Sequence, residues 1–186
     1  MDLKHAIAGR RAVRAYTPKP VDEAQLRALI ALAVQAPSAM NRQPWSFCVV
    51  RDPAVLQRIS DEAKRHLLQA SPAGVFAHEL QTMLGNPEFQ IFYHAPALVL
   101  ITGLADDPWS RIDCALAAEN LMLAAADAAL GTCWIGFAQG WLETAEGKAL
   151  LGIPPERVPV APIIVGHPAA VAPEVPRKEP EISWIG

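Results

Sequence analysis

The stretch that most restricts this chain runs from residue 109 to residue 130, WSRIDCALAAENLMLAAADAAL. Its apolar residues fall on nearly every face of a 3.6-residue period, so as a helix it offers water no clean polar side. Such a helix must be covered around most of its circumference, by the rest of the fold or by a second subunit. Its many alanines let neighbouring elements approach closely. Gly131 follows the last periodic residue and is expected as the C′ glycine that ends the helix.

The remaining pattern supplies the covering elements. Residues 2–10 predict a short helix stopping near Gly9. Asp22 with Gln25 three residues on is a capping-box pair, and Leu26, Leu29, Ile30, Ala33 and Val34 follow at helical spacing up to a stop at Pro37. WSFCVV, Trp45 to Val50, reads as a buried strand. Asp52-Pro53 starts another helix, with Leu56, Ile59, Ala63 and Leu67 on one face. Residues 70–90, broken by Pro72, Gly74, Gly85 and Pro87, suggest a short helix or two. ALVLIT, Ala97 to Thr102, reads as a central strand, Thr132 to Phe137 as the next, Glu143 to Leu151 as a short helix and Val160 to Val165 as a last strand. The expected class is α+β, one domain over residues 1–186, its apolar strands in one sheet with helices on both faces. From Pro168 the chain turns proline-rich and charged, yet it closes on Ile182-Ser183-Trp184-Ile185, which suggests that the tail docks on something.

Composition excludes several classes. At 52% hydrophobic and 19% charged, the chain is globular. A net charge of −3 argues against non-specific nucleic-acid binding. No apolar run reaches transmembrane length, and the N-terminus has no signal-peptide core. Cys48, Cys114 and Cys133 are odd in number and lack CxxC spacing, so they read as buried thiols of a reducing cytoplasm.

Four constellations could carry chemistry. Arg10, Arg11 and Arg14 put three guanidiniums within five residues, enough to surround a phosphate or hold an electron-rich ring edge; a solvated charged turn is the plainer reading. Arg177-Lys178 is a second, shorter basic pair in the tail. The loop APSAMNRQPW packs Ser38, Asn41, Arg42 and Gln43 between two prolines. Neutral groups of this kind suit a ring with carbonyls and imino nitrogens, or else they cap their own turn. In GTCWIGF, Gly136 permits close backbone approach to a ligand, or marks a bulge. No GxGxxG, Walker A or GxSxG pattern appears, and the five histidines have no metal spacing. Asp106, Asp107 and Glu119 read as surface or helix residues, not as an acid/base pair.

Taken in order, RRAVRAY, APSAMNRQPW, FYHAPALVLI, DCALAAENLMLAAADAALGTCWIGF, then GHP and Arg-Lys in the tail, the chain resembles the nitroreductase family of FMN-dependent oxidoreductases over nearly its whole length. The resemblance implies a mixed central sheet flanked by helices in an intertwined homodimer, with FMN at the interface and the tail, 168–186, wrapping the partner. It implies that Arg10, Arg11 and Ala12 hold the phosphate and ribityl region, that Arg14 sits at N1 and O2 of the ring, and that Ile135, Gly136 and Phe137 line the ring near N5. Pro37, Ser38, Ala39, Asn41 and Gln43 would reach across to the other subunit's flavin, and Arg177 and Lys178 would return to the phosphate. Ala12 stands where the family often has serine, so a hydroxyl is lost and the backbone N–H remains. An asparagine contact from residues 70–90 has Asn86 as its candidate.

The implied activity is NAD(P)H-driven reduction of small acceptors, such as nitroaromatics or quinones, by a ping-pong cycle. Flavin fragmentation, reductive dehalogenation, azoline oxidation and non-catalytic flavin binding stay open as alternatives on the same scaffold. FMN itself carries hydride chemistry, so no catalytic side chain is required, which agrees with the absence of an acid/base constellation. No ribose-reading residue chooses between NADH and NADPH.

Overall fold

The computed structural model describes residues 2–70 and 78–186. Among these, β1 (Ser46–Val50), β2 (Ala97–Leu104), β3 (Gly131–Trp134) and β4 (Arg157–Gly166) form one sheet in the order β1-β2-β4-β3, every ladder antiparallel. Among the described residues a parallel component enters through one isolated bridge, Ala12 to Thr132. β2 is buried on both faces, and its alternation divides the core. Ala97, Val99 and Ile101 pack with α2 (Glu23–Ala33) and α5 (Ser110–Asp127), while Leu98 and Leu100 pack with α3 (Pro53–Ala70) and α6 (Gln139–Leu142). Each Val, Leu or Ile among these contributes about 1.5–3 kcal/mol by leaving water, so helices on both faces follow from strands apolar on both faces. The register slips by one between Ile101 and Thr102, leaving Val160 of β4 unpaired. Pro159 and Pro162 lie beyond the last β3 pairing, Trp134 with Ile163, where the outer edge of β4 has no ladder to lose.

Local chemistry fixes the helix starts. Asp2 accepts the His5 N–H at 2.9 Å to cap α1 (Leu3–Gly9), and Gln25 Oε1 accepts the Asp22 N–H at 3.0 Å as the reciprocal half of the capping box on α2. Asp52 Oδ1 accepts from Ala54 N at 2.8 Å at the head of α3. α4 (His78–Gly85) falls within the irregular stretch expected at 70–90; residues 71–77 lie outside the described residues. α7 (Ala145–Leu150) is capped by Thr144.

Several boundaries differ from expectation. α2 ends at Ala33, four residues before Pro37, because Val34 and its neighbours already turn. The predicted strand at 132–137 stops at Trp134, and Gly136–Ala138 form a 3-10 turn that leads into α6. Gly131 is not the cap of α5. The helix ends at Asp127, and the left-handed C′ residue is Ala129, with φ 56°. Leu130 N donates to Ala125 O at 2.8 Å and Ala129 N to Ala126 O at 3.2 Å, the bond pair of a Schellman motif. Gly131 opens β3 instead, for a steric reason. A Cβ there would lie 2.8 Å from Cβ, Cγ1 and Cγ2 of Val13.

One face of α5, including Asp113, Cys114, Ala117, Ala118, Leu121 and Ala125, is buried against the sheet and α2. The opposite face leaves Trp109, Ile112 and Leu116 exposed at 57%, 52% and 42%. The expected all-round covering is therefore incomplete within one chain. The tail begins beside the N-terminal segment, with Ala169 N donating to Ala15 O at 2.9 Å, and ends with Trp184 and Ile185 exposed. No helix among the described residues is long and apolar enough to cross a membrane.

Candidate functional site

The arginine segment leaves α1 in extended conformation along the edge of β3. Val13 N donates to Thr132 O at 2.9 Å, and Val13 is buried over Gly131. Strand-like alternation then turns Ala12 and Arg14 outward. Arg10, Arg11, Val13, Ala126, Leu130, Thr132 and Ala170 are among the residues lining a cavity of 610 Å³. A second cavity of 370 Å³, between residues 11–15 and the tail at 170–175, shares Arg11, Val13 and Ala170–Ala172 with it. Neither lining contains a carboxylate.

The two inner arginines are incompletely satisfied. Arg11 donates through Nη1 to Arg10 O at 2.9 Å and to Ala8 O, while its Nε is buried with no hydrogen-bond partner. Arg10 Nε lies 3.3 Å from Glu119 Oε1 in an ion pair, yet is also buried without a hydrogen bond, because the pair lacks donor alignment. Buried donors of this kind cost free energy until an acceptor arrives. An oxyanion in the cavity would supply one, and the residues present therefore fit a phosphate-bearing group. The C-terminal end of α5 also abuts the cavity and disfavours negative charge, so the arginines must offset it.

Arg14 faces a different wall. Tyr16 and Tyr93 flank it, and with Glu88, Phe89 and His94 they line a cleft of 320 Å³. Burial raises the Tyr93 hydroxyl and the Cys133 thiol, and the Arg14 guanidinium partly opposes both shifts. Burial likewise pushes Tyr16 up; its hydroxyl donates to Val13 O at 2.8 Å. Tyr93 and His94 are consecutive left-handed residues, φ 52° and 55°, a costly corner that the sequence does not announce. Asn86 accepts the Glu88 N–H at 2.9 Å and caps its own turn.

The loop from Pro37 to Gln43 is wound tightly. Met40, Asn41 and Gln43 all have positive φ, at 52°, 54° and 49°. Ser38 Oγ accepts from Gln43 N at 2.9 Å, and Gln43 Nε2 donates to Asn41 Oδ1 at 3.0 Å. The hydrogen-bonding capacity expected to serve a ring is thus partly spent on the turn, although Asn41 and Gln43 remain exposed. The loop is pinned to the start of α5. Ala39 N donates to Asp113 Oδ1 and Oδ2 at 3.1 and 3.2 Å, and Arg42 Nη1 lies 3.3 Å from Asp107 Oδ2. Asp107 is buried, not a surface residue, because its other oxygen accepts the Trp109 N–H at 3.0 Å. Sequence reasoning passed over Asp113, though a carboxylate in the first turn of a nearly apolar helix was the available signal.

The chain does not bring all the expected residues together. None of Pro37, Ser38, Ala39, Asn41 or Gln43 lines the two arginine cavities. The larger cavity touches α5 at Ala126, about 20 Å along the helix axis from Asp113 at 1.5 Å per residue. Ile135 is buried, whereas a Cβ on Gly136 would meet nothing within 4 Å and its φ is not positive. Nothing in the chain itself requires glycine there. The leading N–H groups of the 3-10 turn, on Gly136 and Phe137, have no partner inside the turn. Arg177 and Lys178 are exposed and do not line either cavity.

An antiparallel sheet between two helical layers, with an arginine-lined cavity along its β3 edge, defines the protein as α+β. Residues 7–167 match the model of the nitroreductase family, and the chain belongs to that family. It is 30% identical over 159 residues to a protein of Archaeoglobus fulgidus named as an NADH dehydrogenase/NAD(P)H nitroreductase, covering 86% of this chain and 81% of that one. An FMN reductase [NAD(P)H] of Bacillus subtilis is 26% identical over 175 residues, 92% of this chain and 68% of its own. The crystal structure of a Bacteroides fragilis nitroreductase with bound FMN superposes with a TM-score of 0.87 at 26% identity, over the full length of both chains.

Proposed function

We propose that this protein is a homodimeric, FMN-dependent oxidoreductase that takes hydride from NAD(P)H and passes it to a small acceptor, such as a nitroaromatic or a quinone, in a ping-pong cycle. The observation that carries the reading is that the buried Nε donors of Arg10 and Arg11 both lack a hydrogen bond, beside a cavity whose lining has no carboxylate, Arg10 being ion-paired only to Glu119. Bound FMN would supply the hydride chemistry; the side chains bind and orient. Arg10, Arg11 and the Ala12 N–H would hold the phosphate and ribityl end, with Arg177 and Lys178 reaching it from the tail. Arg14 would face the pyrimidine edge, and the backbone at Ile135, Gly136 and Phe137 the ring.

A second copy completes the site in this reading. The exposed residues Trp109, Ile112 and Leu116 at the start of α5, with Leu3, Ile7 and Leu32 exposed on α1 and α2, which both contact α5, offer apolar surface suited to a two-fold interface. A two-fold pairing through α5 would carry the Pro37–Gln43 loop of one copy toward the arginine cavity of the other, which the 20 Å separation prevents within one chain (about 13 residues of helix). The same pairing gives the exposed tail a surface to wrap. Three free thiols fit a cytoplasmic location.

The test is direct. Purified protein should carry one FMN per chain by its visible spectrum and sediment as a dimer at low micromolar concentration. Anaerobic NADH or NADPH should bleach it, and a nitroaromatic or quinone should restore the colour. Flavin that stays oxidised with both nucleotides would make the protein a binding module. A folded monomer that retains flavin would refute the shared site.

A further inference from the structure

The loop that carries Ser38, Asn41 and Gln43 is held in an unfavourable shape. Three residues in succession or nearly so, Met40, Asn41 and Gln43, occupy left-handed backbone without being glycine. That backbone is unfavourable for a residue with a side chain, least so for Asn41, so the surrounding contacts must over-determine the conformation. Within the loop, Ser38 Oγ to Gln43 N, the Asn41–Gln43 side-chain bond, and the backbone bonds from Asn41 N to Ser38 O at 2.9 Å and from Arg42 N to Ala39 O at 3.1 Å oppose that cost. The stronger restraints come from outside, and two of them end on carboxylates at the start of α5.

We propose that Asp113, assisted by Asp107, is a positioning residue that sets the loop for its flavin contact; the flavin part of this inference rests on the function proposed above. Asp113 is only 3% exposed, in the first turn of α5, and both its oxygens receive the Ala39 N–H, across 74 residues of sequence. A charge-assisted acceptor is roughly twice as strong as a neutral one, and a buried carboxylate that lost this donor would be left poorly satisfied. Asp107 works on the other side of the bend. One oxygen accepts the N–H of Trp109, the residue just before α5, and the second pairs with Arg42, two residues beyond Met40. Arg157 adds a third pin, Nη1 to Pro44 O at 2.8 Å, where the loop enters β1.

The placement has a functional logic. Asp113 adjoins Ile112, one of the exposed apolar residues on the same helix. The helix that would meet the partner therefore also carries the anchor of the loop that would serve the partner's flavin. Docking α5 against a second copy then places Ser38, Asn41 and Gln43 without a separate ordering step, because the ordering is already done inside each chain. Neither aspartate touches the arginine cavity, so neither enters the direct phosphate contacts.

Hydrogen exchange by mass spectrometry on the flavin-free protein tests the positioning alone. Asp113→Ala should speed exchange at amides 39–43 by about tenfold or more, while α5 amides 117–125 stay protected. Asp113→Asn, which keeps a neutral carbonyl acceptor, should fall between wild type and Asp113→Ala and carries the test if the alanine variant does not fold. FMN titration of the same variants should show the dissociation constant rising in the same order, by about tenfold for the alanine variant, with a changed visible circular dichroism of the bound ring. Unchanged exchange at 39–43 overturns the proposal. Faster loop exchange with unaltered flavin affinity and dichroism also overturns it, and shows that the loop makes no flavin contact. Wild type that binds no FMN would instead sink the underlying function, leaving the exchange result to stand by itself.

Discussion

Replacing Ala129 by glycine should stabilise the protein, and placing alanine at Gly131 should do the reverse. Ala129 is the left-handed C′ residue of α5, at φ 56°, while Gly131 sits in β3 without a positive φ. Left-handed backbone costs an alanine roughly 1–2 kcal/mol. Glycine removes that cost but frees the unfolded chain, giving back about 0.4–1 kcal/mol. The balance is a gain of about 0.5–1 kcal/mol. For a chain of this size that raises the melting temperature by about 1–4 °C. At Gly131 a new Cβ would meet three atoms of Val13 at 2.8 Å. Overpacking of that kind costs about 1–3 kcal/mol, and relief requires the segment bearing Arg10, Arg11 and Arg14 to move. Gly131→Ala should therefore weaken FMN binding as well as lower the melting temperature. Thermal unfolding followed by far-ultraviolet circular dichroism, at fixed protein and flavin concentrations because bound ligand shifts the midpoint, measures both variants. If Ala129→Gly leaves the midpoint unchanged or lowers it, the cap assignment is wrong.

Arg11→Ala should weaken FMN more than riboflavin, by a charge-assisted contact of roughly 1.5–3 kcal/mol; equal losses in fluorescence titrations of both ligands would remove Arg11 from the phosphate. Arg14→Ala should make the two-electron potential more negative by about 30–65 mV, the same 1.5–3 kcal/mol at about 1.4 kcal/mol per 30 mV, and Arg14→Lys should retain most of the wild-type value. A spectroelectrochemical midpoint that is unchanged or more positive in Arg14→Ala excludes it from the pyrimidine edge. Cys114 is pushed from 9.0 up to about 11, chiefly by burial and further by Asp113. The unfolded thiol loses its proton first as pH rises, so the stability linked to this group is whole below about pH 9 and declines between about 9 and 11. Urea midpoints across that range should fall, and fall less steeply in Cys114→Ala; a midpoint that rises with pH contradicts the sign.

Much of the architecture was legible because burial writes itself into the chain at short range. ALVLI, Ala97 to Ile101, is apolar at every position, and it lies in the strand with helices on both sides. Asp22 with Gln25, and Asp52 with Pro53, announce helix starts through bonds that span three residues or fewer. The cap of α5 was misread for an equally physical reason: a glycine after a helix signals either left-handed backbone or close approach, and only the position of Val13 decides which. The site was legible as residue types and not as an arrangement. The sequence shows arginines near the start and a polar loop after α2, but not that α5 holds them about 20 Å apart. Asp113 escaped notice because its partner, the Ala39 N–H, lies 74 residues away and belongs to no side chain.

That separation makes α5 a ruler. The loop anchor at Asp113 and the cavity wall at Ala126 are spaced by the helical repeat between them. One inserted or deleted residue in that interval would turn the far end by about 100° and shift it by about 1.5 Å. The alanine stripe under the sheet would rotate away from its bed, and the exposed Trp109–Leu116 face would no longer share a side with the rest of the helix. Within α5 the count of residues is itself part of the site, independent of which residues they are.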